Sequence, residues 1–225
     1  MESERLTLPT EQASEYGYRL AYRLVREQLA RIDDIEQQCR KSGAQYIASQ
    51  KTIVIEYLNQ PYLVTLPDTK VSIKTGEPAV SVRDELLILH YFIKAKGTPL
   101  SQKLITYKEL KEGINYFPVF SKRAIKPLVN FFGKEPHRLL DIAGILGGHK
   151  ADYGDVAVTI DAFKQVPVTL VLWQGDGEFP PDGNIMFDST VTDYLTNDDI
   201  HVLCETIAWR LVKLLKTGGD NPVRN

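Results

Sequence analysis

The sequence predicts an α+β fold: a central antiparallel or mixed sheet flanked by helices, in a single domain over residues 1–225. Three observations predict it. Short runs rich in β-branched and aromatic residues gather in two regions, 44–75 and 155–188. Around and between them, apolar residues recur at steps of three and four, the period of a helix with one buried face. No repeat, low-complexity tract or linker divides the chain, which is long enough to bury a sizeable core. The two β-rich regions are read as parts of one domain, with separate sheets as the alternative.

Residues 1–15 and 217–225 read as flexible tails, with Thr10 as a helix cap. Over residues 16–40, Tyr18, Ala21, Tyr22, Val25, Leu29, Ile32, Ile35 and Cys39 form one apolar stripe, which predicts a single amphipathic helix. That stripe faces the core or a partner helix. Gly43 ends the helix, because the left-handed closing residue favours glycine. Residues 44–49, 52–58, 62–66 and 71–73 then read as an antiparallel meander, with Pro61 and Pro67 at strand ends where a missing donor does little harm.

Ser81-Val82-Arg83-Asp84 is a capping signature for a helix over residues 85–96. Its run from Leu86 to Ile93 is apolar nearly all round, so the helix is expected at the centre, with His90 a satisfied core histidine or, alternatively, a cofactor ligand. A short strand is expected at 104–107 and a turn at Gly113. A helix over 119–132 should be kinked by Pro127, which lacks the N–H of the ladder. A further short helix over 136–146 ends at Gly147-Gly148. Strands follow at 155–163 and 166–173, the second apolar on both faces and therefore central in its sheet. Residues 185–187 supply a third strand, antiparallel to the second. Thr196-Asn197-Asp198-Asp199 caps the last helix, 200–216.

Charge and composition narrow the functional classes. A net charge of −2 argues against a dedicated nucleic-acid binder. No apolar run approaches the roughly 20 residues of a membrane span, and the polar N-terminus is unlike a secretory signal. Cys39 and Cys204 lack metal or redox spacing, which fits a reduced pair in the cytoplasm. The expected partner is a small-molecule ligand or another protein, with no membrane involved. No nucleophile elbow, H-E-x-x-H helix, zinc quartet or dinucleotide fingerprint is present.

Three stretches carry side chains suited to chemistry. In the loop after residue 173, Asp176, Glu178, Asp182 and Asp188 offer oxygen ligands for a hard divalent cation, with Asp155 brought near if the strands pair. The bland alternative is a solvated loop whose acids cap turns. In Gly147-Gly148-His149-Lys150-Ala151-Asp152-Tyr153-Gly154-Asp155, glycines following a helix let backbone approach a ligand, and His149 and Asp155 suit proton transfer. A helix cap and turn account for the same glycines. The third stretch, with Lys122, Arg123, Lys126, Lys134, His137 and Arg138 near Phe131 and Phe132, fits an anionic ligand or a helix's wet face.

The block Trp173-Gln174-Gly175-Asp176-Gly177-Glu178-Phe179-Pro180 resembles the W-x-G-D-x-E-F-P signature of a family from anaerobic bacteria and archaea whose domain has no assigned function. The likeness extends to Glu85 through Tyr91, Gly97-Thr98-Pro99-Leu100, Leu146-Gly147-Gly148, Gly154-Asp155, Phe187-Asp188 and Tyr194-Leu195, and so covers most of the chain from about residue 17. Some relatives resemble fusions to a cysteine-rich iron–sulfur segment found with corrinoid carriers. This chain has neither those cysteines nor the D-x-H-x-x-G pattern of cobalamin binding, so no iron–sulfur cluster carries over.

The resemblance implies a ligand- or partner-binding accessory domain in anaerobic corrinoid, tetrapyrrole or one-carbon metabolism. A tetrapyrrole or divalent metal is then the expected cofactor; read from the residues themselves, the candidates to bind a cofactor are His90, Gly147, Gly148, His149 and Trp173, and those to bind a metal are Asp176, Glu178, Asp182 and Asp188. The residues themselves leave two alternatives. One is a metal-assisted hydrolase or transferase using His149, Asp155, Asp176 and Glu178. The other is a protein-interaction module built on the N-terminal helix.

Overall fold

Each β-rich region forms its own antiparallel sheet. The computed structural model of the chain describes residues 11–74, 79–176 and 178–218. The first sheet has strands β1 (Gln45–Ile47), β2 (Thr52–Tyr57), β3 (Gln60–Thr65) and β4 (Lys70–Ile73) in simple meander order. The second contains β5 (Leu104–Thr106), β6 (Gly148–Ala151), β7 (Val156–Phe163), β8 (Val166–Trp173) and β9 (Asp182–Asp188), in the order β5-β9-β8-β7-β6. β8 is the middle strand, as its two apolar faces require: Val168, Leu170 and Leu172 are buried on one side, and Thr169 and Val171 on the other. Thr169 meets Thr159 directly across the ladder, hydroxyl to hydroxyl at 2.8 Å, so the buried polar group is satisfied.

The two sheets share one apolar core. Leu58 N–H, just past β2, donates to Ala162 C=O on β7 at 3.0 Å. Beside that join, Tyr57 stacks on Phe163 at 4.8 Å between ring centres, and Phe163 stacks on Tyr91 at 4.0 Å. Aromatic rings bury large areas and add specific face contacts, so this column fixes the sheets against each other and against the central helix.

The helix expected over residues 16–40 is two: α1 (Glu11–Leu29) and α2 (Ile35–Ser42). Asp34 takes an extended backbone and accepts Gln37 N–H at 2.8 Å, which starts a new helix where the apolar stripe appears continuous. Val25, Leu29 and Cys39 are nonetheless all buried, so this part of the stripe faces the core. Gly43 closes α2 in the left-handed region, φ +71°. Thr10, the Tyr18 side chain and the segment beyond residue 218 lie outside the described residues.

Ser81 caps α3 (Val82–Lys94) by accepting Asp84 N–H. At its other end the buried Gln38 amide donates to the carbonyls of Phe92, Ile93 and Ala95, groups that the end of a helix leaves without partners. α4 (Gly113–Phe120) begins where a turn is expected, and it continues through a π-helical turn, residues 121–125, into α5 (Lys126–Phe132). Lys126 N–H reaches Ser121 C=O, five residues back, immediately before Pro127. Proline has no N–H for the carbonyl four residues earlier, and the ladder slips by one residue instead of breaking.

α6 (His137–Ala143) runs through a tight turn into β6, where the sequence suggests an open loop. Four polar or small residues on an edge strand carry no alternation from which pairing can be read. α7 (Asn197–Lys216) starts at Thr196, whose hydroxyl and N–H both meet the Asp199 carboxylate in a reciprocal cap. Among the described residues, no helix is long and apolar enough to cross a membrane.

Candidate ligand cavity

The acidic loop is built by its own backbone. Asp176 Oδ1 accepts the N–H groups of Glu178 and Phe179, both at 2.8 Å, and these bonds hold its carboxyl below the ordinary value. Asp155 Oδ2 accepts Gln174 N–H at 2.8 Å, so Asp155 does join the loop. Gly175 lets the chain fold back on itself: a Cβ there would lie 2.6 Å from Pro181 N. Asp182 accepts Gly183 N–H. Trp173, at the end of β8, and Phe179 are 41% and 69% exposed, so neither is core.

Asp188 sits apart from this loop, buried at the far end of β9. It accepts five hydrogen bonds: from the N–H and hydroxyl of Ser101, the N–H and hydroxyl of Thr190, and Gln102 N–H. Burial is the largest single influence and opposes its charge, but the Thr190 and Ser101 bonds together outweigh it and hold the carboxyl low. Its oxygens are committed to tying the 101–102 turn to the sheet. Among the described residues, no group of three or more His, Cys, Asp or Glu side chains is arranged to hold a metal ion.

Gly147 closes the turn before β6, and Gly148 and His149 lie on that edge strand. His149 pairs with Thr159, which pairs in turn with Thr169. It therefore lies two strands from β8 and four residues along from Trp173, roughly 10 Å across and 13 Å along the sheet. The fold does not bring His149 to the acidic loop. His90 Nδ1 lies 2.7 Å from Asp199 Oδ1, joining α3 to the first turn of α7. Lys122, Arg123, Lys126, Lys134, His137 and Arg138 are all exposed, with Arg138 paired to Glu135.

A concave site among the described residues uses other side chains. A cavity of about 220 Å³ opens between the first sheet, the start of α3 and the last turns of α7. Leu58, Tyr62, Ile73, Val80, Leu146 and Leu214 supply its apolar wall; Gln60, Ser81, Asp84, Arg210 and Lys213 supply the polar part. Arg210 Nη2 is 3.0 Å from Asp84 Oδ2. The same carboxylate accepts Tyr57 O–H at 2.9 Å and Ser81 O–H at 2.7 Å. The guanidinium lies 5.3 Å from the Tyr57 ring centre, within cation–π range, and is hydrogen-bonded to Tyr62.

Burial works against charge on Arg210, yet Tyr57, Asp84 and Tyr62 outweigh it and keep the guanidinium protonated. Burial also pushes the phenols of Tyr57 and Tyr62 up, so both remain neutral. Among the described residues, the cavity wall thus holds one carboxylate against two cations. Sequence reasoning missed this group because Asp84 reads as a helix cap and Arg210 as the wet face of an amphipathic helix. An arginine beside the apolar positions Ile207 and Leu211 was the one available signal.

A family profile described as a domain of unknown function (DUF3786) matches residues 34–210. This chain belongs to that family. The matched DUF3786 span takes in both sheets and includes Asp84, Tyr57, Tyr62 and Arg210. Neither a curated protein nor a solved structure matches the chain.

Proposed function

We propose that this DUF3786 domain is a small-molecule binding module whose ligand occupies the cavity beside Asp84 and Arg210. The observation that carries the reading is that ion pair, set beside Tyr62 in a wall that is largely apolar. Taking charges out of water is costly unless they are paired, and a concave apolar site with a few convergent polar groups is the usual form of a ligand pocket. The volume constrains the ligand. About 220 Å³ is below the roughly 300 Å³ where pockets for drug-sized molecules begin, which favours a compact ligand over a tetrapyrrole. A setting in anaerobic one-carbon or cofactor metabolism rests on the W-x-G-D-x-E-F-P resemblance alone.

Native mass measurement of the purified protein tests this, together with a thermal-shift screen of compact fragments. A ligand that binds only the folded state raises its melting temperature. Val80→Trp, which fills the cavity from a loop, should abolish that rise while leaving the circular dichroism unchanged. If no fragment stabilises the protein, or if Val80→Trp responds as the parent does, the reading fails.

A second reading, partner binding at the acidic loop, is favoured by the exposure of Trp173 and Phe179 on either side of the Asp176 turn. Large exposed aromatics are frequent anchors of protein contacts. Phe179→Ser should then lose a partner captured by the parent without any loss of stability. Metal-assisted hydrolysis has less support, because Asp155, Asp176, Asp182 and Asp188 each accept backbone N–H groups.

A further inference from the structure

We infer that the ligand of this cavity is a compact monocarboxylate with an apolar body. The inference rests on the cavity being the binding site and adds the chemistry of its occupant. Three features lead to it.

The first is charge. Asp84 and Arg210 answer each other at 3.0 Å, which leaves Lys213 as the surplus cation among the described residues of the lining. Among the described residues, no carboxylate lies within ion-pair distance of Lys213, and its side chain is exposed at the rim. One negative charge on the ligand completes the balance.

The second is the position of the polar groups. The guanidinium of Arg210 presents a planar fork of five N–H donors, and Asp84 and Tyr62 do not use all of them. A planar carboxylate suits such a fork. Lys213 stands one helical turn further along α7, so both cations can face one anionic group. Ile73, Val80, Leu146 and Leu214 supply apolar lining that suits an apolar body.

The third is the size of the charge. A phosphate monoester carries about −1.5 to −2 at pH 7. Beside the Asp84 carboxylate, that exceeds what one surplus cation offsets. A carboxylate carries a single charge and does not.

Matched probes test the inference: benzoate, benzyl alcohol, benzylamine and phenyl phosphate, titrated at roughly millimolar concentration, as suits fragments of this size. Methyl chemical shifts of Ile73 and Leu214 locate the binding. Benzoate should bind, with the alcohol and amine at least about tenfold weaker, and added sodium chloride should weaken benzoate. Lys213→Met, at an exposed position where folding is retained, should raise the benzoate Kd about fivefold to tenfold.

Benzyl alcohol binding as tightly as benzoate overturns the carboxylate while leaving the cavity in place. Tighter binding of phenyl phosphate overturns the single-charge argument. An unchanged benzoate Kd in Lys213→Met also overturns the inference. Absence of any Ile73 or Leu214 shift with all four probes removes the cavity reading itself.

Discussion

Arg210 Nη2 lies 3.0 Å from Asp84 Oδ2, tying the last turns of α7 to the first turn of α3. The bond fastens the two helices that frame the cavity, and Tyr57 on β2 holds the same carboxylate from the sheet. It therefore matters to stability as well as to any ligand.

Arg210→Met should destabilise the fold by about 1–3 kcal/mol, because Asp84 is left partly buried with only Tyr57 and Ser81 as side-chain donors. Adding Asp84→Asn should cost less than the two single changes summed, since residues in one network are not additive. Urea denaturation of the three variants measures both effects.

Gln38 spends its side-chain amide on the end of α3, with Nε2 2.6 Å from Phe92 C=O and 3.0 Å from Ala95 C=O. Gln38→Leu keeps the bulk but strands those carbonyls, at a cost of about 1–3 kcal/mol. Gln38→Glu keeps the shape and loses the donor, so it should cost at least as much at pH 7. Equal denaturation midpoints for parent and Gln38→Glu would refute this role.

Acid should unfold the protein through Asp188. Its folded-state carboxyl is held below the ordinary value, so between that value and about 3.9 the unfolded chain binds more protons. The stabilisation is fully present above the unfolded value and is lost as pH falls through the folded one. Asp199, lowered in the same direction, adds to the effect: burial opposes its charge, but His90 and Thr196 outweigh burial. Asp188→Ala should cost about 1–3 kcal/mol at pH 7 and progressively less below pH of about 4, as measured by denaturation at several pH values.

Neither thiol should react in the folded state. Both cysteines are free and buried, and burial pushes the Cys39 thiol up to about 11 and raises that of Cys204 well above its ordinary value. Thiolate is the reactive form. A disulfide reagent at pH 8 should label both cysteines in denaturant and neither without it, over the time of a mixing experiment.

The sequence alone determined the elements whose reasons are local. β8 is central because both of its faces are apolar, and α7 starts at Thr196 because the cap is written within four residues. Pro127 announces a disturbed helix for the same kind of reason, although only the fold shows it as a π turn. The break between α1 and α2 was missed because the apolar stripe continues through it, and the cap at Asp34 is easily taken for one more charge on the wet face.

Tertiary structure decided the rest. Whether two β-rich regions make one sheet or two depends on which strands find partners, and period-two alternation is the same in either case. The stack of Tyr57, Phe163 and Tyr91 then locks two sheets into one core. The acidic loop stands out in sequence, but its carboxylates accept their own backbone N–H groups. Asp84 and Arg210 are far apart in the chain, and only folding makes them neighbours. A site built from long-range contacts leaves no periodic trace, because each of its residues satisfies a local rule that already explains it.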